Sequence, residues 1–327
     1  MTNKIIDQRD VLILSRSELI FRTHIDRIFG KRGILNREAR IAWLFLLPAL
    51  VGAGLFLIYP IIEAFRLSFT DYAGFAQPSY VGFENYINLL TNPRFWHVLS
   101  VTFRYTAIVV IVITILAFFE ALLFNSRIPG NAVFRAICYI PVVTSFVLVA
   151  TIWKFIFHSK GLLNSLLIWL GIVDTQHAVR WLLDPGIALW AVALVTVWRA
   201  ISYYGIIYLA GLQSIPQELV DAARVDGASD WHVTRYITLP LVKPYMVVVV
   251  VIATIGAMKV FDEIYILTGG GPALSTMTLN YLIYKEGFTF FHMGYASAAG
   301  ILLLIIVMVI SILNIGLFER GAVELSA

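Results

Sequence analysis

The chain reads as an all-α polytopic membrane protein with six transmembrane helices. Two observations carry this. The 327 residues are 60% hydrophobic and only 13% charged, where a soluble domain carries about a quarter charged residues; the mean hydropathy is +0.84. The apolar residues also fall in six long runs, Ile41–Phe69, Val98–Phe124, Ala132–Phe157, Ile187–Leu212, Leu241–Leu267 and Gly294–Phe318. About 20 apolar residues cross a bilayer as a helix, and runs of this length exclude the short alternating segments of a barrel.

Residues 1–40 form a basic segment before the first run. Within it, Leu14, Phe21, Ile25 and Ile28 fall roughly on one helical face among Arg16, Arg22 and Arg27. An interfacial amphipathic helix and a plain basic extension that reinforces topology fit this pattern equally. The first run starts too late and is too long for a cleaved signal peptide, so it reads as a retained membrane helix. Pro60 in the first run and Pro141 in the third are candidate kinks. Cys138 stands alone, which excludes an internal disulfide, and the six histidines are scattered, with no metal-ligand spacing.

Lys and Arg in the loops set orientation. Residues 1–40, the second and fourth loops and the tail hold fifteen, against four on the other side (Arg94, Lys160, Arg180 and Lys285). Both termini are therefore expected in the cytoplasm, with residues 319–327 as a short tail. An anionic inner leaflet accounts for the positive charge without a nucleic-acid partner.

The fourth loop, residues 213–240, is polar and helix-forming between two apolar runs. Ser214, Pro216 and Gln217 read as a helix start, with Ser214 as cap. Gly227 reads as its break, Ser229 as the cap of a second helix, and Leu239-Pro240 as that helix's end, with Pro244 in the first turn of the next span. The product is a hairpin kept slim by Ala222, Ala223, Gly227 and Ala228 and rimmed by Asp221, Arg224, Asp226 and Asp230. Its two readings are a docking knob for another protein and an ordinary polar loop.

These residues resemble the EAA loop of binding-protein-dependent ABC import permeases: Glu-Ala-Ala, three residues, Gly, nine residues, Ile, one residue, Leu-Pro. The chain has Asp221-Ala222-Ala223, Gly227, Ile237 and Leu239-Pro240 with every spacing kept. Asp221 departs from the family's Glu; it shortens the side chain and retains the charge. Three further stretches resemble the carbohydrate-uptake branch, of maltose and glycerol-phosphate type: "YVGFENYINLLTNPRFW" (Tyr80–Trp96), "AGLQSIPQEL" (Ala210–Leu219) and "KVFDEIYILTGGGP" (Lys259–Pro272). The resemblance covers residues 41–318. It implies the ABC type I importer permease fold. It implies as partners a second homologous permease, an ABC ATPase dimer docked on the coupling loop, and an extracytoplasmic solute-binding protein. The ATP is then used by the partner ATPase. No cofactor is expected on this chain, since Gly269–Gly271 with Pro272 is a turn with no Lys-Ser/Thr after it, and no phosphate-binding loop occurs elsewhere.

Ionisable residues inside spans are expensive and are functional candidates by default. Glu120, Arg199, Lys259, Asp262 and Glu263 qualify. Lys259 and Asp262 share a helix face and are expected either to pair with each other or to divide into a path residue and an outer charge. Arg199, with Trp198, Tyr203 and Tyr204, suits a sugar, because rings stack on sugar faces and polar groups orient hydroxyls; the competing reading pairs Arg199 with Glu120. Glu120 suits helix–helix pairing. The resemblance adds Ala257, Lys259, Val260 and Phe261, which match the sugar site of the maltose-type relatives. The candidate translocation path is thus Arg199, Tyr203, Tyr204, Ala257, Lys259, Val260 and Phe261. Tyr80, Phe83, Tyr86, Phe95 and Trp96 read as an interfacial aromatic belt. The reading from another class is an ion-coupled secondary transporter with Glu120, Lys259 and Asp262 as its relay. It lacks the paired repeats of such carriers, and no convergent nucleophile or acid–base pair supports a membrane enzyme.

Overall fold

The computed structural model describes residues 31–75, 77–126 and 129–323; the candidate amphipathic segment at 10–29 lies outside them. The chain divides into two compact units, residues 1–63 and 64–327. In the first, helix α1 (Lys31–Ala53) begins ten residues before the apolar run. A π turn, Gly54–Ile58, follows, and α2 (Tyr59–Leu67) starts directly after it.

The second unit is a helical bundle. A short α3 (Glu84–Thr91) precedes α4 (Pro93–Asn125). Asn92 caps α4, its side chain accepting from Arg94 N at 2.9 Å, and Pro93 opens the helix where no N–H partner is lost. Next come α5 (Asn131–Val143), α6 (Phe146–Ile156) and α7 (Leu162–Trp169). They lead to α8 (Ala188–Gln213), α9 (Gln217–Val225) and α10 (Asp230–Val233). The bundle closes with α11 (Leu239–Met258), α12 (Asp262–Leu267), α13 (Leu279–Tyr284) and α14 (Met293–Val323). Among the described residues, five helical stretches are long and apolar enough to span a membrane: Ile41–Leu67, Pro93–Asn125, Ala188–Gln213, Asp230–Met258 and Met293–Gly316. The sixth is the pair α5 and α6, bent by 95°.

That bend corrects the straight third span expected over Ala132–Phe157. The break is at Thr144, which is extended, and Ser145 (φ −54°, ψ 127°), just after Pro141, which has no N–H to give the turn before it. The fifth span also stops at Met258, not Leu267, and a three-residue break separates it from α12. At its other end the helix does not stop before Leu239-Pro240. It runs from Asp230 through a π turn, Thr234–Thr238, into α11, which leaves Pro244 inside the helix. Pro60 and Pro240 each stand two residues past a π turn. The widened turn makes room for a ring that would otherwise strike the carbonyl four residues back. Helix α14 reaches Val323, beyond the tail boundary expected at 319.

The core lies between α4 and α8. Tyr105, Val109, Ile113, Ala117 and Ala121 pack with Val192, Val195, Tyr208 and Leu212. The small residues let the helices approach closely, as membrane helices must without a hydrophobic force between them. Polar links tie the bundle elsewhere. Buried Asn85 donates to the Ser68 and Thr70 carbonyls at 2.9 and 2.8 Å. Buried Glu286 holds Arg94 at 3.2 Å and His292 at 3.0 Å. Of the expected aromatic belt, Tyr80, Phe83 and Trp96 are exposed, but Phe95 is 2% exposed and belongs to the core.

Gly294 starts α14 against this corner. A Cβ there would overlap the Thr70 carbonyl, which is backbone and cannot turn aside. Gly294→Ala is expected to destabilise the bundle by about 2–3 kcal/mol, read as a lower midpoint in thermal unfolding in detergent.

Candidate functional site

Two regions hold the residues singled out from the sequence. The first is the break between α11 and α12. Lys259 caps α11 with φ −100° and ψ 15°, and Phe261 precedes α12 with φ −136° and ψ −60°. The opened backbone is not left unpaired: Asn280 Nδ2 donates to the Lys259 carbonyl at 2.7 Å, and Thr278 Oγ1 donates to the Val260 carbonyl at 3.2 Å. Membrane proteins tolerate such backbone only where protein or a cavity receives it. Here a cavity of about 230 Å³ does.

Six of the seven path candidates line that cavity: Arg199, Tyr204, Ala257, Lys259, Val260 and Phe261. Tyr203 does not; it stands edge-on to Tyr204, with centroids 5.1 Å apart. Arg199 Nη2 lies 3.5 Å from Glu263 Oε1, and its guanidinium sits 5.0 Å from the centroid of the Phe146 ring. Arg199 Nε is buried without a hydrogen-bond partner. Tyr105 and Thr196 share a hydrogen bond of 2.7 Å on the opposite wall. Glu263 and Tyr105 are among the lining residues that the sequence reading missed for the path. Glu263 was visible as an intramembrane charge; Tyr105 gave no signal within its apolar run.

Neither of the two charge pairings weighed as alternatives from the sequence forms. Arg199 pairs with Glu263, not Glu120, because the break turns α12 back toward α8. Glu120 instead accepts from Ser202 Oγ at 2.6 Å, and the same hydroxyl lies 2.8 Å from the Cys138 carbonyl. That links α4, α8 and α5. Gly205 makes room for it, since a Cβ there would stand 2.7 Å from Glu120 Oε2. Lys259 and Asp262 make no ion pair with each other; both are exposed, and both line the cavity. The relay of an ion-coupled carrier, Glu120 to Lys259 and Asp262, is not assembled, because Glu120 is absent from the cavity lining.

The second region is the loop between α8 and α10. Ser214 is not the start of a helix but the end of one: it closes α8, its Oγ donating to the Gly211 carbonyl at 2.7 Å. Pro216 takes the position before α9. Asp221 accepts from Gln217 Nε2 at 3.1 Å, one turn earlier. The chain reverses at Gly227, with φ +84°, where a side chain would be strained. Ser229 caps α10 as expected, accepting from His232 N at 3.4 Å. Arg224 clasps Asp230 across the turn at 3.0 Å. Asp221, Ala222, Asp226 and Gly227 are exposed, with Ala223 and Ala228 half-buried. Ile237, Leu239 and Pro240 are not part of the knob; they belong to the continuous helix beneath it. Leu219, Val225, Trp231 and Tyr236 are exposed apolar residues around the knob, Val225 at 87%. A cleft of about 580 Å³ separates the knob from Leu122, Asn125 and Ser126 at the end of α4.

Fold and site together define a multi-span helical membrane protein with a polar cavity at a broken helix and a polar knob at the far end of the bundle. The chain belongs to the family of binding-protein-dependent transport system inner membrane components, whose model matches residues 94–322. It is therefore a permease component of such a system in the inner membrane. The trehalose/maltose transport system permease protein of Thermococcus litoralis is 36% identical over 288 residues, 87% of this chain and 96% of that protein. The lactose transport system permease protein of Rhizobium radiobacter is 33% identical over 279 residues, 83% of this chain and 92% of that one. Among solved structures, a bacterial ABC transporter involved in the import of the acidic polysaccharide alginate has a chain of TM-score 0.75 and 25% identity. The match covers 87% of this chain and 96% of that one.

Proposed function

We propose that this permease carries a sugar or sugar-like solute, delivered by an extracytoplasmic binding protein, through an importer driven by ATP at a separate ATPase dimer. A second, homologous permease completes the membrane part, and both termini lie in the cytoplasm. The observation that carries the solute class is the cavity at the α11–α12 break. Within an apolar bundle it combines rings, Tyr204 and Phe261, with fixed polar groups, Arg199, Glu263 and the Tyr105–Thr196 pair. That mixture suits a ring-shaped polyhydroxy ligand. The sugar permeases among the relatives support the same class.

The loop around Gly227 is the site for the ATPase. Its exposed small residues permit close approach, its apolar side chains supply buried contact, and large exposed apolar patches mark partner surfaces. Because α10 continues through the π turn into α11, a push on the knob travels along one continuous helix to the cavity at Lys259. The Arg94 and Lys285 end faces outward, and ATP is neither bound nor cleaved by this chain. The test is uptake of labelled neutral oligosaccharides by the purified complex in proteoliposomes. Lys259→Ala is expected to lower uptake about ten-fold while the ATPase still hydrolyses ATP. Unchanged uptake would remove Lys259 from the path.

A further inference from the structure

The cavity does not end at Phe261. That ring lies parallel to Tyr265, with centroids 5.5 Å apart and planes at 13°. Tyr284 meets both, 5.0 Å from Phe261 and 5.6 Å from Tyr265, each nearly edge-on. Tyr284 in turn stacks on Phe288 at 5.6 Å and 29°. Tyr281 backs the row, buried at 7% exposure and 6.2 Å from both Tyr265 and Tyr284. Along it Phe261 and Tyr284 are half-buried, while Tyr265 is 49% and Phe288 64% exposed.

The backbone builds this row deliberately. The break at Lys259–Phe261 turns α12 so that Phe261 and Tyr265, four residues apart, share one face. Tyr281, Tyr284 and Phe288 recur at three- and four-residue steps along α13 and the π turn Lys285–Thr289. Core packing accounts for buried Tyr281 and for the inner sides of half-buried Phe261 and Tyr284, but not for Tyr265 and Phe288, which stay largely exposed. A lipid-facing surface of aliphatic side chains would need neither the hydroxyls of Tyr265 and Tyr284 nor the exposed Lys259 and Asp262 beside Phe261.

We infer that the row Phe288–Tyr284–Tyr265–Phe261 is a sugar-conducting wall that joins the Lys285 end of the bundle to the cavity. Rings spaced 5 to 6 Å apart offer a pyranose a succession of stacking faces. The next face is in reach before the last is left, so no single site holds the solute tightly. Tyrosine hydroxyls give its hydroxyl groups partners along the way. The wall sets specificity for solutes with a flat apolar ring face. The inference rests on the sugar reading of the cavity and extends it outward.

The test uses the complete complex in proteoliposomes and the labelled oligosaccharide, from maltose, trehalose and lactose, that the unmodified complex imports fastest. Tyr265→Ala and Phe288→Ala are each expected to lower uptake at low solute concentration about ten-fold, the scale of one stacking contact. The maximal ATPase rate stimulated by the loaded binding protein should hold. Tyr265→Phe, which keeps the ring, should retain most uptake and so separates a ring effect from misfolding. Uptake by Tyr265→Ala and Phe288→Ala equal to that of the unmodified complex would overturn the wall. So would dissociation of the second permease from Phe288→Ala, which would make the row a subunit interface. Failure of the unmodified complex to import any of the three sugars, while importing another class of solute, would instead strike the sugar reading itself.

Discussion

Gly227→Pro is expected to abolish uptake, by at least about twenty-fold, while the protein still inserts, folds and fills its share of the membrane. Gly227 turns the chain at φ +84° and donates its N–H to the Arg224 carbonyl at 3.1 Å. Proline holds φ near −65° and has no N–H, so neither condition survives and α9 swings away from α10. Nothing else in the bundle depends on that turn: a Cβ at Gly227 would meet no atom within 4 Å, and the Arg224–Asp230 clasp is exposed and contributes little. The loss is therefore expected in coupling and not in stability. Gly227→Asn is the control, since asparagine tolerates the left-handed conformation; it should keep most of the uptake. Uptake and the midpoint of thermal unfolding, measured on the same preparations, separate the two effects.

Arg199→Leu is expected to fail in a different way. Glu263 is 7% exposed, and Arg199 is the cation beside it. Removing one partner of a buried pair leaves the other uncompensated and typically costs about 3 kcal/mol or more. The single variant should unfold at lower temperature and import nothing. The double variant Arg199→Met with Glu263→Leu removes both charges. Such replacements are often neutral in stability, so the bundle should recover its unfolding midpoint. Uptake should stay depressed by roughly a hundred-fold, the equivalent of about 2.8 kcal/mol, because the polar side of the cavity is gone. Recovery of uptake along with stability would show that the pair serves the fold alone.

How far the sequence could lead depends on the range of the interaction involved. The spans follow from composition along the chain, so all six were legible, and Ser229 and Gly227 declared themselves through local capping and turn chemistry. What was missed is where distant segments meet. Arg199 and Glu263 stand 64 residues apart in the chain. Only the break after Met258 brings them together, and nothing in the apolar run up to Met258 announces that break. Leu239-Pro240 misled for a related reason: a proline normally ends a helix, but the π turn just before it lets the helix pass. Ser214 misled because the same residue type closes one helix as readily as it opens the next.

The central claim is that ATP at a separate subunit, transmitted through the Gly227 knob, moves solute past the broken fifth span. The direct measurement is sugar uptake into proteoliposomes that hold the purified complex and its binding protein, with ATP or without it, and with or without an ionophore. The account predicts uptake that needs ATP hydrolysis, ignores the ionophore, and is lost in Gly227→Pro. Uptake without ATP that collapses on adding the ionophore would contradict it.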